Sequence, residues 1–244
     1  MPDAKVVFFD VDGTLIHGNT WDGLLHHPQL RGYRRALLQL STAPRYALFR
    51  AYLLSYSRYL GGRIRGIAGL LRGYSPAELD LIFAWLVEDF LADEYRQDVV
   101  FRLEQHVAQG DHVVLISAFF EQAIQHMAAR LQAHAVIATS LELRSGVATG
   151  RIRGKVCVGP RRLDFIRTYL ASYNPALTLS DCIAYADNYT DAPMMGAVGQ
   201  AIAVYPDRHL LAAALEQGWQ MVAFPPPRPR KVRRCTQLRV QRLA

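Results

Sequence analysis

Cysteine is scarce in this chain. Three in 244 residues, Cys157, Cys182 and Cys235, lie far apart and form no C-x-x-C pair. An odd, scattered set excludes a disulfide scaffold and a cysteine-based zinc site, and fits a reducing compartment. Long apolar runs are missing too: nothing approaches the roughly 18 uninterrupted apolar residues of a spanning helix. The opening residues, Met1-Pro2-Asp3-Ala4-Lys5, lack the basic lead, longer apolar stretch and small-residue cleavage site of a secretory signal, so a cytoplasmic chain is expected. Acid is absent from two segments. Residues 23–77 carry nine arginines and no Asp or Glu, and residues 225–244 carry seven basic residues and no acid. No internal repeat is present.

The rest is ordinary for a folded protein. With 51% apolar residues the chain can bury a sizeable core, which excludes wholesale disorder. The net charge of +7 belongs to the last twenty positions, because residues 1–224 hold 21 bases against 21 acids. That tail opens with Pro225-Pro226-Pro227-Arg228-Pro229, which favours an extended, solvated backbone. It reads either as a disordered solubilising appendage or as a weak electrostatic tether to anionic lipid or nucleic acid. Within the acid-free stretch, Tyr46, Phe49, Leu53, Tyr56 and Leu60 recur at helical spacing from Pro44 onward. Leu48, Tyr52 and Tyr59 add a second apolar face. One helix is expected there, buried or meeting another surface.

Strand and helix signals alternate along the chain. Lys5–Val11, His112–Ser117 and Cys182–Ala186 are apolar on both faces, the mark of buried parallel strands. Further strands are expected at 135–139, 201–204 and 221–224, with turn signals for a hairpin within 141–153. Helices are expected over about 120–133, 161–172 and 207–217. Ser75-Pro76-Ala77-Glu78 is a well-formed helix start. The pattern predicts an α/β fold, a doubly wound parallel sheet. Its core comprises residues 1–18 and 106–224, with a helical cap inserted over 19–105.

Chemistry gathers at the C-terminal ends of the predicted strands, where open α/β folds bind ligands. The first strand ends in Asp10-Val11-Asp12-Gly13-Thr14, the second in Ser117-Ala118. The strand at 182–186 leads to Asp187, with Asp191 one helical turn on. Four carboxylates on one sheet edge repel one another unless a cation joins them, and an all-oxygen set suits Mg²⁺. Asp10 and Asp12 share one face of an extended strand, and Gly13 lets the backbone turn. One acid can attack a phosphoryl group while the other shuttles a proton.

These residues, in this order and on these elements, resemble the haloacid dehalogenase-like superfamily of phosphatases, in its phosphoserine phosphatase-like branch. The resemblance covers nearly all of residues 5–224. It implies an aspartyl-phosphate formed on Asp10, with Asp12 as acid and then base. It implies Ser117 and the Ala118 N–H, with Gly13 and Thr14, around the phosphoryl oxygens. It places Mg²⁺ on Asp10, the Asp12 backbone carbonyl and Asp187, with Asp191 in support. The family's motif lysine has no direct counterpart: Arg162 stands at the matching position, with Lys155 and Arg161 as rivals. The Glu that pairs with the substrate amine in phosphoserine phosphatases is replaced by Asn19.

The acid-free, arginine-rich stretch of the cap, residues 23–77, is a poor host for a free ammonium group. A small or lipid-like phosphomonoester is therefore expected in place of phosphoserine. Trp21 reads as a packing residue or a substrate wall, and His17 lies near the nucleophile loop. His26, His27 and His112 have no metal-ligand spacing. No specific nucleic acid partner is expected. Cap and tail together suggest peripheral contact with an anionic membrane. A catalytically impaired binding module, or phosphoryl transfer to an acceptor other than water, are the other readings of the same site.

Overall fold

The structure, a computed structural model, describes residues 4–30 and 32–222; the basic tail and Cys235 lie outside the described residues. Seven strands form one sheet in the order β4-β3-β2-β1-β5-β6-β7. They are β1 (Val6–Asp10), β2 (His112–Phe120), β3 (Ala135–Arg144), β4 (Val147–Arg153), β5 (Cys182–Ala186), β6 (Gln200–Val204) and β7 (Gln220–Val222). All neighbours run parallel except β4, which turns back on β3 as the expected hairpin. The doubly wound α/β sheet predicted from the strand pattern is present.

The two-residue period of β1 sorts the core. Val7 and Phe9 face one layer with Val113, Leu115, Ile183 and Tyr185; Val6 and Phe8 face the other with Val114, Ile116, Cys182 and Ala184. Both layers are dry, so the strands read as continuous apolar runs. Helices α5 (Gln97–Ala108) and α6 (Glu121–Leu131) cover the first layer. Helices α7 (Arg161–Tyr173), α8 (Ala192–Met195) and α9 (Arg208–Gln217) cover the second. Ser75 caps α4 (Pro76–Trp85) as its sequence predicts: its hydroxyl accepts from the Glu78 N–H at 3.3 Å, and the Ser75 N–H donates to Glu78 Oε2 at 2.8 Å.

Two expectations change. The helix predicted from Pro44 through Leu60 is two helices, α2 (Gly32–Arg50) and α3 (Tyr56–Leu70), that fold back on each other. The reversal passes through Tyr52, whose φ is +60°. It lets Phe49 stack on Tyr59 with centroids 5.0 Å apart, so the apolar periodicity spans a hairpin rather than one rod. Strand β2 also overshoots its predicted end at Ser117. Its pairing with β1 stops at Ile116, and its register with β3 shifts between Ile116 and Phe120. Ser117 therefore sits at an irregularity inside the strand. The last strand is described over Gln220–Val222, and residues 223 and 224 of the expected strand lie outside the described residues.

The insertion begins with α1 (Thr20–Leu24) and continues through the α2–α3 hairpin. The turn after α3 is laced to β4, with the Gly73 N–H on the Ala148 carbonyl and the Ala148 N–H on the Tyr74 carbonyl, both at 2.8 Å. Beyond α4, Val99 and Leu103 of α5 enter the same core layer as Val113 and Leu115. No helix among the described residues is long and apolar enough to cross a membrane.

Candidate active site

Strand β1 is flanked by β2 and β5, which leave it in opposite directions, so its C-terminal end is the sheet's switch point. Asp10 closes that strand, buried. Its Oδ2 accepts from the Thr14 hydroxyl at 3.2 Å, and its Oδ1 lies 2.8 Å from Arg162 Nη1. The same Nη1 donates to Asp191 Oδ1 at 2.6 Å. One guanidinium thus bridges two carboxylates. The Thr14 hydroxyl also lies 3.3 Å from Asp187 Oδ1. Asp10, Asp187 and Asp191 each offer a ligand oxygen within 4.8 Å of the others.

Burial decides the electrostatics here. It raises the pKa of Asp10 against the pull of Arg162, and it raises that of Asp187 further because Asp10 and Asp191 add repulsion. Burial pushes Asp191 up to about 7, although Arg162 opposes the shift. Three crowded, desolvated carboxylates with one guanidinium among them form a donor set that is all hard oxygen, and it fits a divalent cation such as Mg²⁺. Burial pushes the neighbouring Cys157 thiol up to about 12, which leaves it inert.

Asp12 faces elsewhere. The Thr20 N–H donates to its Oδ1 at 2.6 Å, and the hydroxyls of Thr20 and Ser117 each approach its Oδ2 at 3.3 Å. Burial, with a smaller contribution from the Asp10 charge, pushes Asp12 up to about 6 against the Thr20 hydrogen bond. A carboxyl in that range can give and take a proton near neutrality. Between Asp10 and Asp12 on one side and Asp187 on the other, Gly13 adopts φ +91°. A Cβ there would collide with the Asp187 carboxylate, so the turn requires glycine twice over.

Of the three candidates for the counter-charge, Arg162 is buried in the cluster, whereas Lys155 and Arg161 are exposed. Asp207 ties down the Asp187–Asp191 loop: its carboxylate accepts from the Tyr189 N–H at 3.0 Å, and its own N–H donates to the Asp187 carbonyl at 2.8 Å. Ala118 lies beside Ser117 in β2, its carbonyl accepting from the Thr139 hydroxyl at 2.8 Å. In the cap, Asn19 stands at the N-cap of α1 without a side-chain capping bond. Trp21 is half-buried beneath the Arg63 guanidinium, 4.2 Å from its ring centre.

Sequence reasoning missed three contributors. Thr20 orients Asp12. Arg96 is buried and donates from Nε to the Gly13 carbonyl at 3.0 Å; its guanidinium lies 4.1 Å over the Tyr205 ring. Tyr56 opens α3 half-buried, and burial together with the carboxylates of Asp12, Asp187, Asp10 and Asp191 raises its pKa. The last effect places its hydroxyl in the field of the acid cluster.

A family model described as haloacid dehalogenase-like hydrolase matches residues 7–196. A phosphoserine phosphatase of Mycobacterium tuberculosis is 29% identical over 221 residues, spanning 91% of this chain and 71% of the relative. A Streptomyces azureus protein named for inhibition of morphological differentiation is 28% identical over 229 residues, 90% of this chain and 78% of its own length. Among solved structures, a protein of unknown function from Bordetella pertussis matches with TM-score 0.76 and 25% identity, over 90% of this chain and 99% of that one. A phosphoserine phosphatase captured as a phospho-aspartyl intermediate analogue shares the fold, with TM-score 0.55 and 18% identity over 89% and 92% of the two chains.

Proposed function

This chain belongs to the haloacid dehalogenase-like hydrolase family, and on that premise we propose that it is a Mg²⁺-dependent phosphomonoester phosphatase with Asp10 as nucleophile. The observation that carries the reading is the Arg162 bridge, 2.8 Å from Asp10 and 2.6 Å from Asp191, inside a buried acid cluster at the sheet's switch point. A cation fixed on the nucleophile favours its ionised form against burial and lets an anionic substrate approach. That support also weighs against an impaired binding module, for which the sequence offers the missing motif lysine and the unusual Ala186-Asp187-Asn188.

Asp10 attacks phosphorus while Asp12 gives a proton to the leaving oxygen. Asp12 then takes a proton from water, which attacks the acyl-phosphate, frees inorganic phosphate and restores Asp10. Ser117 and the Ala118 N–H hold phosphoryl oxygens. Asp10, the Asp12 carbonyl and Asp187 would hold Mg²⁺, with Asp191 in support. When bound, the ion neutralises charge on the transferring phosphoryl group.

The leaving group is inferred to be neutral or anionic, small or lipid-like. Asn19 offers no charge to an amine, and Arg63 over Trp21 repels one. Phosphoserine therefore fits poorly.

The test is phosphate release over phosphoserine, sugar phosphates, nucleotides and phosphatidylglycerophosphate, with Mg²⁺ and with EDTA, beside acid-quench trapping of labelled phosphate on the protein. Asp10→Asn is expected to lose about four orders of magnitude in rate and all trapped label. Trapped label persisting in Asp10→Asn would move the nucleophile to another residue. Phosphoserine as the best substrate would overturn the reading of the cap.

A further inference from the structure

The tip of the α2–α3 hairpin has no part in the chemistry above, yet it is built in an unusual way. Tyr52 is 88% and Leu53 is 73% exposed, and Leu48, whose carbonyl accepts from the Leu53 N–H at 2.9 Å, is exposed beside them on α2. Single exposed apolar residues need no explanation; several adjoining ones at the end of a projecting hairpin mark a contact surface. Arg50 and Arg58 flank them, with Arg45 and Arg65 further back along the two helices, all exposed. Among the described residues none of these arginines makes an ion pair, and the sequence offers no acid from residue 23 to 77.

We propose that this tip docks on an anionic lipid bilayer, with Tyr52, Leu53 and Leu48 in the interface and the arginines on lipid phosphates. Three observations favour that occupant. The charge is of one sign and complements an anionic surface. A symmetric contact with a second copy would set arginine against arginine. A nucleic acid would take the arginines and tyrosines but leave Leu48 and Leu53 in water.

The location gives docking a consequence. Leu53 precedes Tyr56 by three residues, at most about 10 Å of chain, and Tyr56 already lies in the field of the acid cluster. A bilayer seated on the tip brings its headgroups to the mouth of the site. Ser57, one residue on, packs against Gly159, where any Cβ would meet its hydroxyl. The hairpin is therefore wedged at the loop that leads into Arg162. Docking stands apart from the phosphatase reading, and its test measures binding rather than turnover.

The experiment is sedimentation of the full chain with phosphatidylcholine vesicles, with and without phosphatidylglycerol, at low and high salt. The wild type is expected on the anionic vesicles alone, released by salt. Tyr52→Ser/Leu53→Ser should lower the bound fraction about tenfold with an unchanged melting temperature, since both residues are exposed. Arg50→Gln/Arg58→Gln should flatten the salt dependence. Equal binding by the wild type and Tyr52→Ser/Leu53→Ser would overturn the proposal and leave attachment to the basic tail. So would a wild type that ignores anionic vesicles. A single-stranded oligonucleotide, or a dimer in gel filtration, lost with the same double variant while vesicle binding is absent would overturn it in favour of that partner.

Discussion

At the floor of the site each carboxylate, buried or half-buried, meets a donor or a cation: Asp10 meets Thr14 and Arg162, Asp12 meets Thr20 and Ser117, Asp187 meets Thr14, and Asp191 meets Arg162. At the tip of the cap, Arg50 and Arg58 stand in solvent with no carboxylate beside them. Burial raises the cost of an unmatched charge steeply, so the interior holds charges only in complementary sets. Water and salt tolerate unmatched charge, so a surface of one sign survives where a partner from outside can answer it. The same element joins the two regions, because Tyr56 begins the helix that the tip introduces.

The contrast breaks most visibly at Arg162. Arg162→Ala strands Asp10 and Asp191 without their cation, and should cost about 3–5 kcal/mol of stability by urea unfolding, besides loss of turnover. Arg162→Lys restores the charge without the planar fork and should recover part of both. An unaltered unfolding midpoint in Arg162→Ala would mean that the acids are held neutral. Next in size is the cation. Saturating Mg²⁺ should raise the melting temperature by roughly 5–10 °C, and Asp187→Asn should abolish the rise. An equal rise in that variant would put the ion elsewhere.

Arg96→Gln tests whether matched contacts at the floor extend to the backbone. Losing the bond to the Gly13 carbonyl should lower kcat about tenfold with KM nearly constant. A change in KM alone would make Arg96 a binding residue rather than a positioning one. Smallest of all, Arg50→Gln/Arg58→Gln should move the stability of the free protein by no more than about 0.5 kcal/mol. A larger change would show that the tip arginines have partners within the chain.

Much of the floor was legible because its information is local. Asp10 to Thr14 is a contiguous turn, Asp187 and Asp191 are spaced by a helical turn, and the strands bearing them announce themselves as dry apolar runs. Arg162 followed from spacing against a known motif, and its burial separates it from Lys155. Arg96 and Thr20 were not legible. Arg96 acts through a main-chain carbonyl far away in sequence, and such a contact leaves no pattern among side chains. The break between α2 and α3 was hidden for a different reason. Apolar spacing continues across it, and the residue with positive φ is Tyr52 rather than glycine. Ser55, an N-cap residue type ahead of a periodic run, was the available signal.

The central place of β1 in the sheet also sets the order in which this protein can be born. Its five residues are made before the other strands of the sheet, but one edge must wait for His112–Phe120 and the other for Cys182–Ala186. At about 5–20 residues per second, that interval lasts roughly 10–35 s. Until it ends, the β5 edge of β1 has no lasting partner, and Asp191 is not yet beside Asp10. A chain released before β5 is made would carry an open strand edge and no assembled site. Aggregation of nascent fragments, rather than stray activity, is the hazard this topology imposes.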